Sequence, residues 1–478
     1  MDADANQIGT AVASPTKEFF VRMLTRDIEL QDALLDLLDN CVDGVVRSGP
    51  SKNPSRPYEG FKASMTLAPE HFIIEDNCGG IPIEVAKKYA FAMGRPAGAE
   101  QAEQPATVGM YGIGMKRAIF KLGTEAFVES RHDTGFVVEF STEWMASDSW
   151  EDLKMYDLSA AKLTDKGTRI EVFKLNDEVK SALSNKTWID EFRKTVARHY
   201  SIIISKGFSV TIGTPDEIQN NCVPVVADEF MLIQTAPDSD GKRIEPYVYA
   251  GRIGDVDVEI FAGLYRKLLT EEEADIEEET RGTSDDAGWT VACNDRVVIW
   301  KDKSRLTGWG EATVPNYHGQ FIAITGMVLL RSVDPKKLPL TTTKRGIDGA
   351  SNVYSEVKDL MREATKNLTS FTYKWKKFPD QLEGMYKSSE YINLSTLRQL
   401  PSTLQMVRTR KSNDVLRFEP HYPEPAQEKT SVRVSFVSLK KDVGVLANHY
   451  FDGTKVKPGI VGEAAFNEAL SRVRGGSK

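Results

Sequence analysis

Apolar residues recur at helical spacing between Phe19 and Val46 (Ile28, Leu34, Leu35, Leu38, Val42, Val45), and this pattern predicts a helix of several turns. The same stretch carries Asp32, Asp36, Asp39, Asn40 and Asp43, whose separations of three and four residues place them on one face. GPSKNPSRP then breaks the chain. Two strand-like runs follow, FKASMTL (61–67) and HFIIE (71–75), the second running into the tight turn DNCGG. A helix over 84–91 leads to MGRPAGAEQAEQPATVGMYGIGMKR, which reads as a mobile loop closing on a new helix near Met115. Strands FVES, FVVEF and RIEVF, a helix from about Trp188 to Ser201 and the strand FSVTIG complete the region. The order predicts an α/β sandwich with mostly antiparallel strands, not the regular alternation of a doubly wound sheet.

A second unit begins near residue 225. Its strands fall in PYVYAGRIGDVDVEIFAGL, WTVACNDRVVIW and FIAITGMVLL, and it closes with the loop LPLTTTKRGID and a helix over 352–377. The acidic run TEEEADIEEETRGTSDD within it reads as a solvated segment. After Pro379 come a basic stretch (Arg408, Arg410, Lys411), the strand SVRVSFV and a short amphipathic helix near Phe466. The expected domains are 1–225, 226–380 and 381–478.

Composition narrows the class without naming a chemistry. The chain has 478 residues, 41% hydrophobic and 27% charged, an ordinary globular mixture with material for two to four domains. A formal charge of −8 argues against a generic nucleic-acid wrapper. Cys41, Cys78, Cys222 and Cys293 form no C-x-x-C pair, which argues against a disulfide framework or structural zinc. No secretory pattern or membrane span is visible, so the expected location is cytoplasmic and the expected partners include no membrane.

Three separated elements carry chemistry together. Asp36-Leu-Leu-Asp39-Asn40-Cys-Val-Asp43-Gly sets a carboxylate and a carboxamide one helical turn apart. The amide oxygen suits a hard cation such as Mg²⁺, and the carboxylate suits water activation. Asp76-Asn-Cys-Gly79-Gly80-Ile81 follows a strand, so an acceptor sits at a turn that a flat ligand can approach, such as a purine amine. Gly109-Met-Tyr-Gly112-Ile113-Gly114-Met115-Lys116 opens a helix whose N–H groups and dipole favour phosphate.

In this order the elements resemble the GHKL ATPases, comprising DNA gyrase B, heat-shock-90-type chaperones, histidine kinases and MutL, together with the MORC proteins. The first is similar to E-L-x-x-N-x-x-D-A, the second to D-x-G-x-G, and the third to the lid and its glycine motif. YGIGMKRAIFKLG resembles the MORC form Y-G-N-G-L-K, and Gly167-Thr168 stands where the family carries a Gly-Thr beside the adenine site. In the second unit, CNDRVVIW is similar to the N-x-R strand of the MutL and gyrase transducer domain. LPLTTTKRGID resembles its γ-phosphate loop, with Lys344 as the matching lysine.

The resemblance implies an α+β chain. A Bergerat-type ATP-binding sandwich with a lid at 92–114 would be followed by a transducer-like domain of ribosomal-protein-fold type and a small C-terminal segment. It implies ATP and Mg²⁺ as cofactors, Asp36 as general base, Asn40 as metal ligand and Lys344 as γ-phosphate contact. Asp76 would anchor adenine, Gly80, Ile81 and Thr168 would shape the base pocket, and Asp43 would be a further cofactor-binding residue. Gly94 would hinge the lid, while Gly109, Gly112, Ile113, Gly114, Met115 and Lys116 would cradle phosphate. It further implies slow ATP hydrolysis, ATP-dependent homodimerisation, and a DNA-directed role with DNA and a separately encoded effector as partners.

Two departures stand out. Asp36 replaces the usual glutamate and is shorter by roughly 1.5 Å, so slow hydrolysis, or a non-hydrolysing ATP switch, is expected. Cys78 replaces the first glycine of D-x-G-x-G, where positive φ disfavours a side chain and a reshaped turn is expected. None of His71, His132, His199, His318, His421 and His449 lies in a helical segment upstream of the site, which disfavours a histidine kinase. A heat-shock-90-type chaperone is disfavoured because only about a hundred residues follow the second unit.

Overall fold

The computed structural model describes residues 16–93, 113–157, 163, 165–220, 224–237, 241–268, 286–341, 346–376, 378, 381, 384, 386–400, 407–408, 416–425, 434, 437–453 and 455–475. Two compact units divide the chain, 1–424 and 425–478.

The first unit opens with α1 (Lys17–Arg26) and α2 (Leu30–Ser48), where the apolar pattern suggested one continuous helix. The break falls at Asp27–Glu29: Glu29 is extended (φ −71°, ψ 153°), and Ile28 turns into the core instead of continuing the helix. α2 is buried along most of its length, with Ala33, Leu34, Leu37, Leu38, Val42 and Val45 at 0–1% exposure. Burial that complete makes α2 a core element, so any polar side chain on it needs a partner or a ligand.

β1 (Lys62–Leu67) and β2 (His71–Asp76) form a hairpin, and a short helical segment, Ile83–Val85, runs on as a π-turn over Ala86–Ala90. α3 (Gly114–Leu122) leads directly into β3 (Gly123–Arg131), followed by β4 (Gly135–Phe140), β5 (Met155–Asp157) and β6 (Gly167–Leu175). α4 (Lys186–His199) and β7 (Ser209–Gly213) close this layer. The sheet runs β5-β4-β3-β6-β2-β1-β7, antiparallel throughout except for the parallel β1–β7 pair. Mixed α+β architecture with a largely antiparallel sheet is what the strand pattern predicted.

A second seven-stranded sheet lies in the same unit. It comprises β9 (Tyr247–Ile253), β10 (Val256–Leu264), β11 (Gly288–Cys293), β12 (Arg296–Asp302), β13 (Ile324–Arg331), β15 (Val407–Arg408) and β16 (Leu416–Phe418). The order is β12-β11-β13-β10-β9-β16-β15, and α5 (Asn352–Trp375) packs on it through Tyr354, Val357, Met361, Ala364 and Leu368. β8 (Met231–Gln234) pairs separately with β14 (Glu390–Asn393).

The 425–478 unit contains α6 (Lys440–Phe451) and α7 (Pro458–Gly475), joined by a Tyr450–Glu468 hydrogen bond. The helix expected near Phe466 is therefore present. Most of SVRVSFV, the acidic run and the strongly basic stretch lie outside the described residues, as does Lys344. Among the described residues, no helix is long and apolar enough to cross a membrane.

Candidate functional site

One stripe of α2 meets two other elements. Towards the end of β2, the Cys41 thiol hydrogen-bonds to Asp76, and Gly44 lies against Cys78 so closely that an added Cβ would stand 2.7 Å from its carbonyl oxygen. Towards α3, Asp36 pairs with Arg117, and Gly114 packs 3.5 Å (from where its Cβ would be) from the Asp36 carboxylate. Asn40 lies on α2 between these contacts. Its Nδ2 is buried and has no hydrogen-bond partner.

Asp76 ends β2 opposite Thr168 of β6. Its Oδ1 accepts from the Cys78 N–H at 2.7 Å. Exclusion of water from the carboxyl pushes its pKa up to about 6, against the pull of the hydrogen bonds it accepts from the backbone of Cys78 and from Cys41. The turn then takes positive φ at Gly79 (+94°) and Gly80 (+69°). A Cβ on Gly80 would stand 2.1 Å from the Arg131 carbonyl oxygen, so glycine is required there by space as well as by conformation. Ile81 donates its N–H to Ser130 Oγ at 2.8 Å, and Ser130 Oγ also lies 3.1 Å from Thr168 Oγ1. The His132 ring meets the Gly79 carbonyl at 2.6 Å. Ser130 and His132 hold the turn from β3. Neither was singled out by sequence, since a serine and a histidine in an alternating strand carry no signal of their own.

Cys78 stays out of the left-handed region, and the left-handed residues are the two glycines that follow. Both thiols beside Asp76 are buried, and desolvation raises their pKa, so neither is a thiolate nucleophile.

α3 begins after Ile113, with no side chain capping its first turn. Met115 packs against the core. Lys116 is buried at 1% exposure, and its Nζ donates to the Ala90 carbonyl at 2.9 Å. Desolvation lowers its pKa to about 8. The ammonium thereby ties α3 to the π-turn. The neighbouring guanidinium is the one facing α2, and Arg117 Nε is a second buried donor without a partner.

Asp43 is buried at 2% exposure, within electrostatic range of Tyr58. Gly94, Gly109, Gly112 and Lys344, together with most of the expected lid, lie outside the described residues.

Residues 28–169 match the family model described as Histidine kinase-, DNA gyrase B-, and HSP90-like ATPase. The matched segment is similar to a GHKL ATPase domain and runs from Ile28, before α2, to the strand that carries Thr168. The second sheet and the 425–478 unit lie beyond it. No curated protein matches the chain.

The GHKL-like segment gathers several groups open to a ligand along α2 and its neighbours. They are an unpartnered Nδ2 on Asn40, an unpartnered Nε on Arg117, an uncapped helix start and an acceptor at Asp76. Among the described residues there is no cluster of three or more His, Cys, Asp or Glu side chains ready for a metal. The Asn40 amide fits an Mg²⁺ that reaches the protein with phosphate oxygens, the usual habit of this ion.

Proposed function

We propose that the chain is an Mg²⁺-dependent ATPase of GHKL type that uses ATP binding and slow hydrolysis to gate N-terminal dimerisation. The process it serves is a DNA-directed one of MORC-like kind, such as repair, restriction or anti-phage defence. The observation that carries the reading is the meeting on α2 of the Asp76 turn on one side and the α3 start on the other, with the unpartnered Asn40 amide between them.

In this reading Asp76 accepts the exocyclic amine of adenine, and Gly80, Ile81 and Thr168 border the base. Asn40 holds the metal, Asp43 belongs to the cofactor-binding set, and Ile113, Gly114 and Met115 offer backbone N–H groups to phosphate. Mg²⁺, when bound, supplies charge neutralisation on the phosphate oxygens. Asp36 orients and deprotonates water, and Lys344 reaches the γ-phosphate from the 338–348 loop. Gly94, Gly109 and Gly112 give the 92–114 lid its hinge and closing turn. The functional divisions in this reading are 1–225, 226–380 as a transducer-like domain, and 381–478, which do not coincide with the compact units 1–424 and 425–478.

A second reading, an ATP-switched interaction protein with no turnover, draws support from Arg117. Its guanidinium already occupies the Asp36 carboxylate, which is also shorter than the family's glutamate. Light scattering with a non-hydrolysable ATP analogue, with and without duplex DNA, tests the clamp. Doubling of mass with the analogue is expected, and a further DNA-dependent species identifies the substrate. A chain that binds the analogue and stays monomeric refutes gated dimerisation. Phosphate release then separates the ATPase from the switch.

A further inference from the structure

The N-x-R motif of the second unit, Asn294–Arg296, has no part in the nucleotide reading, yet it reaches α2. β11 and β12 are joined by a two-residue loop whose central residues, Asn294 (φ +47°) and Asp295 (φ +67°), are both left-handed. Asn294 pins this loop to the end of β13 by exchanging hydrogen bonds with the backbone of Ser332, both at 3.1 Å. The loop therefore projects as a rigid point.

Arg296 leaves that point for the core of the first layer. Its Nε donates to Asp39 Oδ1 at 3.0 Å, with the two side chains 7% and 2% exposed. The guanidinium stacks over the Tyr200 ring at 4.4 Å, and the Tyr200 hydroxyl donates to the same Asp39 oxygen at 2.6 Å. Arg296 Nη1 also donates to the Val297 carbonyl at 2.8 Å. Beside it, Asp295 receives Lys206 at 2.5 Å and Arg331 at 2.8 Å. Burial alone would raise its pKa, but these two cations hold it down at about 2. A fixed buried charge pair of this kind specifies geometry more than it adds stability, because desolvation offsets most of the attraction.

Asp39 is the residue immediately before Asn40. We propose that Arg296 is a positioning residue for the nucleotide helix: by neutralising Asp39 it sets the rotation and depth at which α2 presents Asn40 and Asp36. The assignment of those two side chains rests on the ATP reading above; the grip on α2 does not. Groups that orient a metal ligand from behind typically change affinity by about 10- to 100-fold when removed.

The test uses the full chain with Arg296→Gln, Arg296→Lys and the double variant Asp39→Asn/Arg296→Gln. Hydrogen exchange is read across α2 in the nucleotide-free protein, and binding of Mg²⁺-ATP and of metal-free ADP by calorimetry. In Arg296→Gln, exchange over α2 is expected to rise by about 10-fold or more relative to β3. Mg²⁺-ATP affinity is expected to fall about 10- to 100-fold, with metal-free ADP changed less than about 2-fold. Arg296→Lys recovers part of the loss. The double variant, which strands no charge, loses less than Arg296→Gln. Unchanged exchange on α2 in Arg296→Gln overturns the proposal, as does an equal loss of both nucleotides. If exchange on α2 rises but the wild-type chain takes up no Mg²⁺-ATP, the ATP reading falls and the positioning of α2 stands.

Discussion

Gly80→Ala perturbs the site through a single methyl group, and its consequence can be worked from two distances. The added Cβ would sit 2.1 Å from the Arg131 carbonyl oxygen and 2.9 Å from that of Gly167. Since real contacts of this kind essentially never fall under 3.0 Å, the turn and β3 must separate by about 1 Å. Both obstacles are backbone atoms of sheet strands, so neither can rotate away. The φ of +69° adds a left-handed penalty of roughly 1–2 kcal/mol for any non-glycine residue. Overpacking adds about 1–3 kcal/mol more. Gly254→Ala is the matched control: it too has positive φ (+57°), but nothing lies within 4 Å of its Cβ position. A 1 Å displacement beside Asp76 is expected to weaken adenine-nucleotide binding by roughly 10- to 100-fold, while Gly254→Ala leaves it unchanged. Calorimetry with ATP and urea unfolding of both variants provide the readout. Equal destabilisation of the two variants, with nucleotide affinity intact in Gly80→Ala, refutes the close-approach argument.

Asn40→Ala is expected to abolish the Mg²⁺ dependence of ATP binding; unchanged affinity with and without metal removes Asn40 from the site. Asp36→Asn should retain ATP and lose phosphate release, and wild-type release would transfer the base to another carboxylate. Asp76, with a pKa of about 6, is the stronger acceptor for the adenine amine when ionised, so nucleotide affinity should fall by up to about 10-fold one unit below that value. In Asp76→Asn affinity should be weak and lack this component of the pH dependence, and parallel titrations of the two proteins would contradict the anchor. Burial, aided by Arg296, lowers His199 from 6.5 to about 4. The folded protein keeps this ring neutral, so stability is full above about 6.5 and is lost as pH falls towards 4, by about 2 kcal/mol at pH 5. His199→Gln should flatten that dependence in urea unfolding, and an unaltered acid slope would assign it to other groups.

The residues legible in the sequence are those whose meaning is local. Asp36 and Asn40 share a helical turn, Asp76 and Gly80 share a tight turn, and Gly114 opens a helix, so spacing alone suggested their joint chemistry. The partners that decide what those residues do come from afar. Arg117 lies 81 residues from Asp36, and Arg296 lies 257 residues from Asp39. Ordinary surface-type residues in the sequence thereby become the buried counter-charges of α2. The Lys116 bond to the Ala90 carbonyl was hidden for the same reason: it depends on a π-turn that the apolar pattern read as plain helix.

Cys78 shows how one local departure is absorbed by another. A side chain at the first glycine position of the turn suggested a reshaped turn, and the backbone keeps Cys78 out of the left-handed region, which falls to Gly79 and Gly80. The remaining difficulty is bulk. A Cβ on Gly44 would meet the Cys78 oxygen at 2.7 Å and its Cβ at 3.0 Å, and Gly44 stands where the related helix motif carries alanine. The missing methyl at Gly44 leaves room for the Cys78 side chain between α2 and the end of β2. The thiol gained by the turn is not idle, for it joins Cys41 around the Asp76 carboxyl. Excluded water raises the pKa of that carboxyl, and the two thiol donors pull it back down, so the charge of the base anchor depends on the Cys78 side chain.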